Sequence, residues 1–178
     1  MADRLPRIQA FMMAALVLLS ACSGSTRSQP TEINPSIPED TLDSRVAPSS
    51  APVVADVLSV QVSGSPGEYT FAVEVASPDE DCFQYADWWE VVDEDGKLLY
   101  RRVLTHSHAD EQPFTRSGGP IPIEPGTMVW VRAHMNIGGY GGAAMQGSVQ
   151  AGFQPADLST DFAADLANQT PLPQDCAF

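Results

Sequence analysis

The stretch Tyr85–Leu104, YADWWEVVDEDGKLLYRRVL, decides the fold. Two runs rich in aromatic and β-branched residues flank Glu94-Asp95-Gly96, with glycine where a turn needs positive φ. This is the pattern of a β-hairpin. Pairing Asp93 with Lys97 sets Val92 opposite Leu98, Val91 opposite Leu99 and Glu90 opposite Tyr100. In that register Trp88, Glu90, Val92, Leu98, Tyr100 and Arg102 share one face, and Trp89, Val91, Leu99 and Arg101 share the other.

Outward from the hairpin the β pattern continues. Upstream, GEYTFAVEVAS sets Tyr69, Phe71, Val73 and Val75 on one face and Thr70, Ala72 and Glu74 on the other, as expected of a half-buried antiparallel strand. Before it, DVLSVQVSG alternates through Val57 and then again through Val60 and Val62. Downstream, FTRSGGPIPIEPGT reads as a short strand edged by proline, with a turn at Glu124-Pro125-Gly126. MVWVRAHM sends Val129, Val131 and Ala133 one way and Trp130, Arg132 and His134 the other. IGGYGG forms a hairpin tip, and AAMQGSVQAGF returns from it. Such short strands, with turns every 8–12 residues, indicate an all-β antiparallel sandwich. The arrangement resembles immunoglobulin-like and fibronectin type III domains over about Val53–Phe153, in architecture only; a small barrel is the competing architecture. The C-terminal PADLSTDFAADLANQTPLPQDCAF starts helix-like, with Ser159 or Thr160 capping a turn that holds Phe162 and Leu166, and ends in Pro-rich coil.

The N-terminal part of the 178-residue chain has a different character. Arg4 and Arg7 precede a nearly continuous apolar run, Ile8–Leu19, too short to span a bilayer as a helix and suited to an export signal. The run ends in Leu19-Ser20-Ala21-Cys22. That ending resembles the lipobox of bacterial lipoproteins, and the resemblance implies cleavage before Cys22 and lipidation of that cysteine, so that residues 1–21 are removed. Ser23 implies, on the same resemblance, sorting to the outer membrane. From Ser23 to about Pro52, Ser, Thr and Pro dominate without an apolar period, which reads as a disordered tether. The expected order is a signal peptide at 1–21, a lipidated cysteine and tether at 22–52, and a sandwich with its tail at 53–178. Export into an oxidising compartment makes a disulfide the natural pairing of Cys82 with Cys176.

The chain carries 9 basic and 23 acidic residues, a net charge of -14, and Lys97 is its one lysine. Phosphate recognition needs clustered Lys and Arg, so nucleic acid is excluded as an expected partner. The expected partners are a membrane, through the lipid, and an envelope protein or glycan. The mature domain's few basic residues gather at Arg101, Arg102, Arg116 and Arg132. With Trp88, Tyr100 and Trp130, residues Arg102 and Arg132 form a candidate binding surface, since arginine beside aromatic rings suits recognition. The alternative is that these side chains pair with Glu90 and pack beneath the C-terminal segment.

A second candidate is HSHAD. In an extended segment His106, His108 and Asp110 lie on one face, and His134 is a further ligand from a neighbouring strand; zinc or copper suits such a set. The alternative is a polar turn with no cofactor. The glycine-rich tip Gly138–Gly142 is either a ligand loop or a tight turn, and the runs Asp79–Asp81 and Asp93–Asp95 are solvated turns rather than calcium loops. No hydrolase, P-loop or dinucleotide fingerprint is present, and a strand neighbour such as Ser107 points away from the histidines beside it. The expectation is a non-catalytic envelope binding module, with periplasmic metal binding second and an uncharacterised hydrolase third.

Overall fold

A computed structural model describes residues 51–177. The signal segment, Cys22 and all but the last residues of the tether lie outside the described residues. Eight strands form two antiparallel sheets. Strands β1 (Asp56–Ser63), β2 (Tyr69–Ala76) and β5 (Phe114–Ile121) make a three-stranded sheet in the order β1-β2-β5. Strands β3 (Ala86–Asp93), β4 (Leu98–Val103), β6 (Val129–Met135), β7 (Ala144–Ser148) and β8 (Gly152–Ala156) make a five-stranded sheet in the order β4-β3-β6-β7-β8. One short 3-10 helix, Ala164–Asn168, follows. The protein is a β-sandwich with a short helical and coil tail. The segment after the glycine tip supplies two strands, β7 and β8, because it folds back once more at Val149–Ala151.

The core lies between the sheets. Tyr69, Phe71, Val73 and Val75 of β2 face Trp89 and Val91 of β3 and Val129, Val131 and Ala133 of β6, all buried. These are the apolar positions of the period-2 pattern, and burying them is the main driving force for the fold. The phase change in β1 between Val57 and Val60 has a structural cause: the pairing with β2 carries a bulge between Val57 and Ser59, which shifts the inward phase by one residue.

The hairpin turn forms where expected. The Asp93 N–H donates to the Lys97 carbonyl at 3.1 Å, Gly96 has φ of 84°, and the Asp93 carboxylate accepts from the Asp95 and Lys97 N–H groups. The register then departs from expectation. A bulge between Val91 and Val92 leaves Val92 opposite Leu98 but places Val91 opposite Tyr100, Glu90 opposite Arg101 and Trp89 opposite Arg102. One extra residue in β4 exchanges the faces beyond it. Arg101, not Arg102, therefore joins Trp88 and Glu90, and Tyr100 turns toward the three-stranded sheet. There its ring occupies the space that a side chain at Gly118 would need, with the hydroxyl 2.6 Å from where a Cβ would stand.

Strand β3 is buried along nearly its whole length on both faces. The core covers one face and the C-terminal segment covers the other. Cys82 and Cys176 form the expected disulfide, with Cα atoms 5.6 Å apart, and so fasten the end of that segment beside the start of β3. The Ala177 N–H donates to the Thr105 carbonyl at 2.5 Å, a second attachment at the same end of the sandwich.

Candidate functional site

The outer face of the five-stranded sheet carries the arginine and aromatic residues, and the C-terminal segment covers its arginine cluster. The Glu90 carboxylate has no exposure. Arg101 donates to its Oε2 through Nε at 2.8 Å and through a terminal nitrogen at 2.5 Å. Arg132 Nε donates to Oε1 at 2.9 Å, and the Tyr140 hydroxyl donates to the same oxygen at 2.9 Å. The remaining guanidinium N–H groups turn to the tail. Arg101 donates to the carbonyls of Leu166 (2.7 Å), Gln169 (2.5 Å) and Pro171 (3.1 Å), and Arg132 to those of Phe162 (2.6 Å) and Ala163 (3.0 Å). Two cations share one carboxylate, and five tail carbonyls supply the further negative ends that the low-dielectric site requires.

This geometry sets the five residues of the candidate binding surface in different surroundings. Trp88 and Arg132 are 2% and 3% exposed, with the Arg101 guanidinium 4.3 Å above the Trp88 ring. Trp130 is half-buried, 6.2 Å from the Phe162 ring of the tail. Tyr100 is half-buried against the other sheet, and Arg102 is exposed, donating only to its neighbour's carbonyl at 3.4 Å. The five residues do not form one open face, because the bulge separates Tyr100 and Arg102 from the rest and the tail covers what remains.

The four proposed metal ligands also separate. His134 lies on the outer sheet face, its Nδ1 2.7 Å from Asp87 Oδ1 and its ring stacked on Trp88 at 3.8 Å. Burial pushes the Asp87 carboxyl above its usual range, opposed by the hydrogen bond with His134. His108 is buried at the loop end, stacked on Phe114 at 3.9 Å. His106 and Asp110 are exposed, and the His106 ring lies 4.5 Å from that of His108. Among the described residues no three His, Cys, Asp or Glu side chains are grouped to hold a metal ion.

Two other sequence features have structural explanations. The glycines of the 138–142 tip allow the N-terminal chain to lie against it: a Cβ at Gly138 would stand 1.6 Å from the Val53 carbonyl oxygen, and one at Gly142 would stand 2.0 Å from that of Ala55. Asp79, read as a solvated turn residue, is instead buried. Its Oδ1 accepts from the Ser77 hydroxyl and the Ala86 N–H, and its Oδ2 accepts from the His108 N–H at 2.8 Å. A carboxylate three residues before a cysteine carries no sequence signal of such a role, since its partners come from β3 and from the loop after β4.

A cavity of about 370 Å³ opens at the loop end of the sandwich, between the 80–82 turn and the 106–111 loop and beside Ala177, and a shallower hollow of about 460 Å³ lies between the tail and Asp87, Trp88 and His134. His106, Ser107 and His108 line the loop-end cavity, as do the carboxylates of Glu80, Asp81, Asp110 and Glu111. No lysine or arginine lines it. Arg116 stands nearby but is held by Glu111, with Nη2 2.7 Å from Oε2, and this hydrogen bond keeps the Glu111 carboxyl below its ordinary range. Neither ring nitrogen of His108, nor Ser107 Oγ, has a hydrogen-bond partner within the protein. Burial pushes the His108 imidazole below its usual range, reinforced by Arg116 and His106 and opposed by Asp79 and Glu111, so the ring is held toward the neutral form.

No protein-family model matches the chain. A protein of Halomicrobium mukohataei named "Putative lipoprotein" is 38% identical over 113 residues, covering 58% of this chain and 56% of that protein. The chain thus spans about half the length of that relative. The relative's name accords with a lipoprotein. No solved structure matches, so the likeness to immunoglobulin-like domains rests on the two-sheet architecture alone.

Proposed function

We propose that the chain is a lipid-anchored, non-catalytic binding module of the cell envelope, carried on Cys22 at the outer membrane, and that its recognition site is the loop-end cavity. The cavity carries this reading: on the sheet face Glu90, Arg101 and Arg132 are satisfied by one another and by the tail, leaving the Trp88 Nε1 donor unpaired, whereas in the cavity both His108 ring nitrogens and Ser107 Oγ lack a hydrogen bond. A concave pocket of a few hundred cubic ångströms with converging polar groups is the usual form of a small-ligand site. Against catalysis stands Ser107, whose Oγ hydrogen-bonds to neither adjacent histidine and so has no base to activate it. The test is native mass spectrometry of the whole exported protein, purified without chelator or amine buffer. A ligand of discrete mass, absent from a variant in which Ala109→Trp fills the cavity, supports the reading. A ligand retained by that variant places binding elsewhere.

A second reading, capture of zinc or copper, rests on the 4.5 Å approach of the His106 and His108 rings in a cavity that also presents Asp110. It asks for a site without His134. Elemental analysis of the same preparation checks it: stoichiometric metal lost with His106→Ala supports it, and none taken up on titration removes it.

A further inference from the structure

We propose that the loop-end cavity takes a primary ammonium group, presented by a small amine or by a lipid headgroup. The inference rests on the cavity being the recognition site and adds the chemistry of its occupant. Four carboxylate residues line the space and no basic residue does; Arg116 neutralises Glu111, and Glu80, Asp81 and Asp110 leave a potential that favours a cation. Its volume of about 370 Å³ exceeds what a bare metal ion fills and suits a small organic molecule.

The second observation is a buried imidazole without a hydrogen bond to its ring, whose Nδ1 stands 3.7 Å from Asp79 Oδ2 and whose Nε2 has no polar partner. The His108 side chain is 1% exposed, and both its ring nitrogens lack a hydrogen bond, as does the adjacent Ser107 Oγ. Leaving such groups unpaired costs about 1–3 kcal/mol each. The His108 main-chain N–H is held by Asp79 and its ring by Phe114, so the side chain is fixed in place, not turned outward to water. His106, exposed and in ring contact with His108, stands over it, so a ligand reaching the His108 ring has to displace this side chain. A neutral imidazole nitrogen and a hydroxyl oxygen both accept N–H donors. A primary ammonium brings three donors and a positive charge, and meets the acceptors and the carboxylates together. A quaternary ammonium brings the charge without donors, which makes it the discriminating probe.

Titration calorimetry of the whole mature chain at low ionic strength tests this, with ethanolamine, putrescine and tetramethylammonium as free probes and vesicles containing phosphatidylethanolamine as the headgroup probe. The expected result is saturable binding of the primary amines or of the vesicles at one site, with tetramethylammonium weaker by about tenfold or more. Glu80→Gln with Asp110→Asn, both exposed in the native chain, should weaken the bound probe by a similar factor. His108→Phe keeps a ring against Phe114, removes the acceptors, and should also weaken it, with circular dichroism confirming the fold. Equal affinity for tetramethylammonium, indifference to these variants, or no saturable binding of any amine overturns the ammonium assignment. Binding of an anion or a neutral sugar that Ala109→Trp blocks overturns it too, but leaves the cavity as the recognition site.

Discussion

Glu90 holds two guanidiniums in a buried site, and the adjacent Arg101 and Arg102 differ sharply. Truncating one member of such a buried network leaves uncompensated charge, so Glu90→Ala should cost about 3–5 kcal/mol in a urea unfolding measurement. Arg102→Ala, on an exposed side chain, should stay within about 0.5 kcal/mol. The clustering of arginine with tryptophan was legible in the sequence. Which arginine meets Glu90 was not, because it turns on a single bulge with no signature in the residues around Val91 and Leu99. His108 makes a second prediction at this scale. Its folded pKa lies below the ordinary 6.5, so on acidification the unfolded chain takes up the proton first. Stability should therefore fall as pH drops through about 6.5, and the loss should stop growing below the folded value. Thermal unfolding across that range should show the decline, and His108→Phe should reduce it.

The elements were more legible than their cover. Period-2 alternation placed the strands and their inward faces, because one buried face is a local property of each strand. The role of the C-terminal segment was not local: its carbonyls are bound by arginines about 30 to 70 residues away in sequence, and five short polar contacts leave no periodic trace. The structure makes this tail integral to the sheet. Leu166, 3% exposed, anchors it, and Leu166→Ala should lose about 2–5 kcal/mol, the range for a buried leucine. The disulfide acts on the same element. Its sequence separation of 94 implies about 4–5 kcal/mol in the chain-entropy model, so the Cys82→Ser, Cys176→Ser double variant should show a lower unfolding midpoint by up to that equivalent. Limited proteolysis of that variant should begin in the tail.

At the scale of the molecule, the tail covers the arginine cluster of one sheet face, and hollows remain at the loop end and beside Trp88 and His134. The molecule's acidic charge is general, and at the loop end carboxylates gather around a cavity with unpaired acceptors. The sequence singled out HSHAD as a candidate stretch, but period 2 misled on its geometry. The segment is irregular, so His108 turns inward onto Phe114 while His106 and Asp110 stay exposed. The central claim is that the arginine cluster of the sheet face is structural and covered by the tail, with the loop end as the proposed place where a ligand meets the protein. Native-state amide hydrogen exchange on the whole exported chain tests it most directly. The account predicts that the N–H groups of Phe162, Leu166, Gln169 and Ala177, each hydrogen-bonded in the tail, exchange slowly. Exchange of these amides at the rate of free coil would contradict it, since the tail would then be open and the sheet face would return as the binding surface.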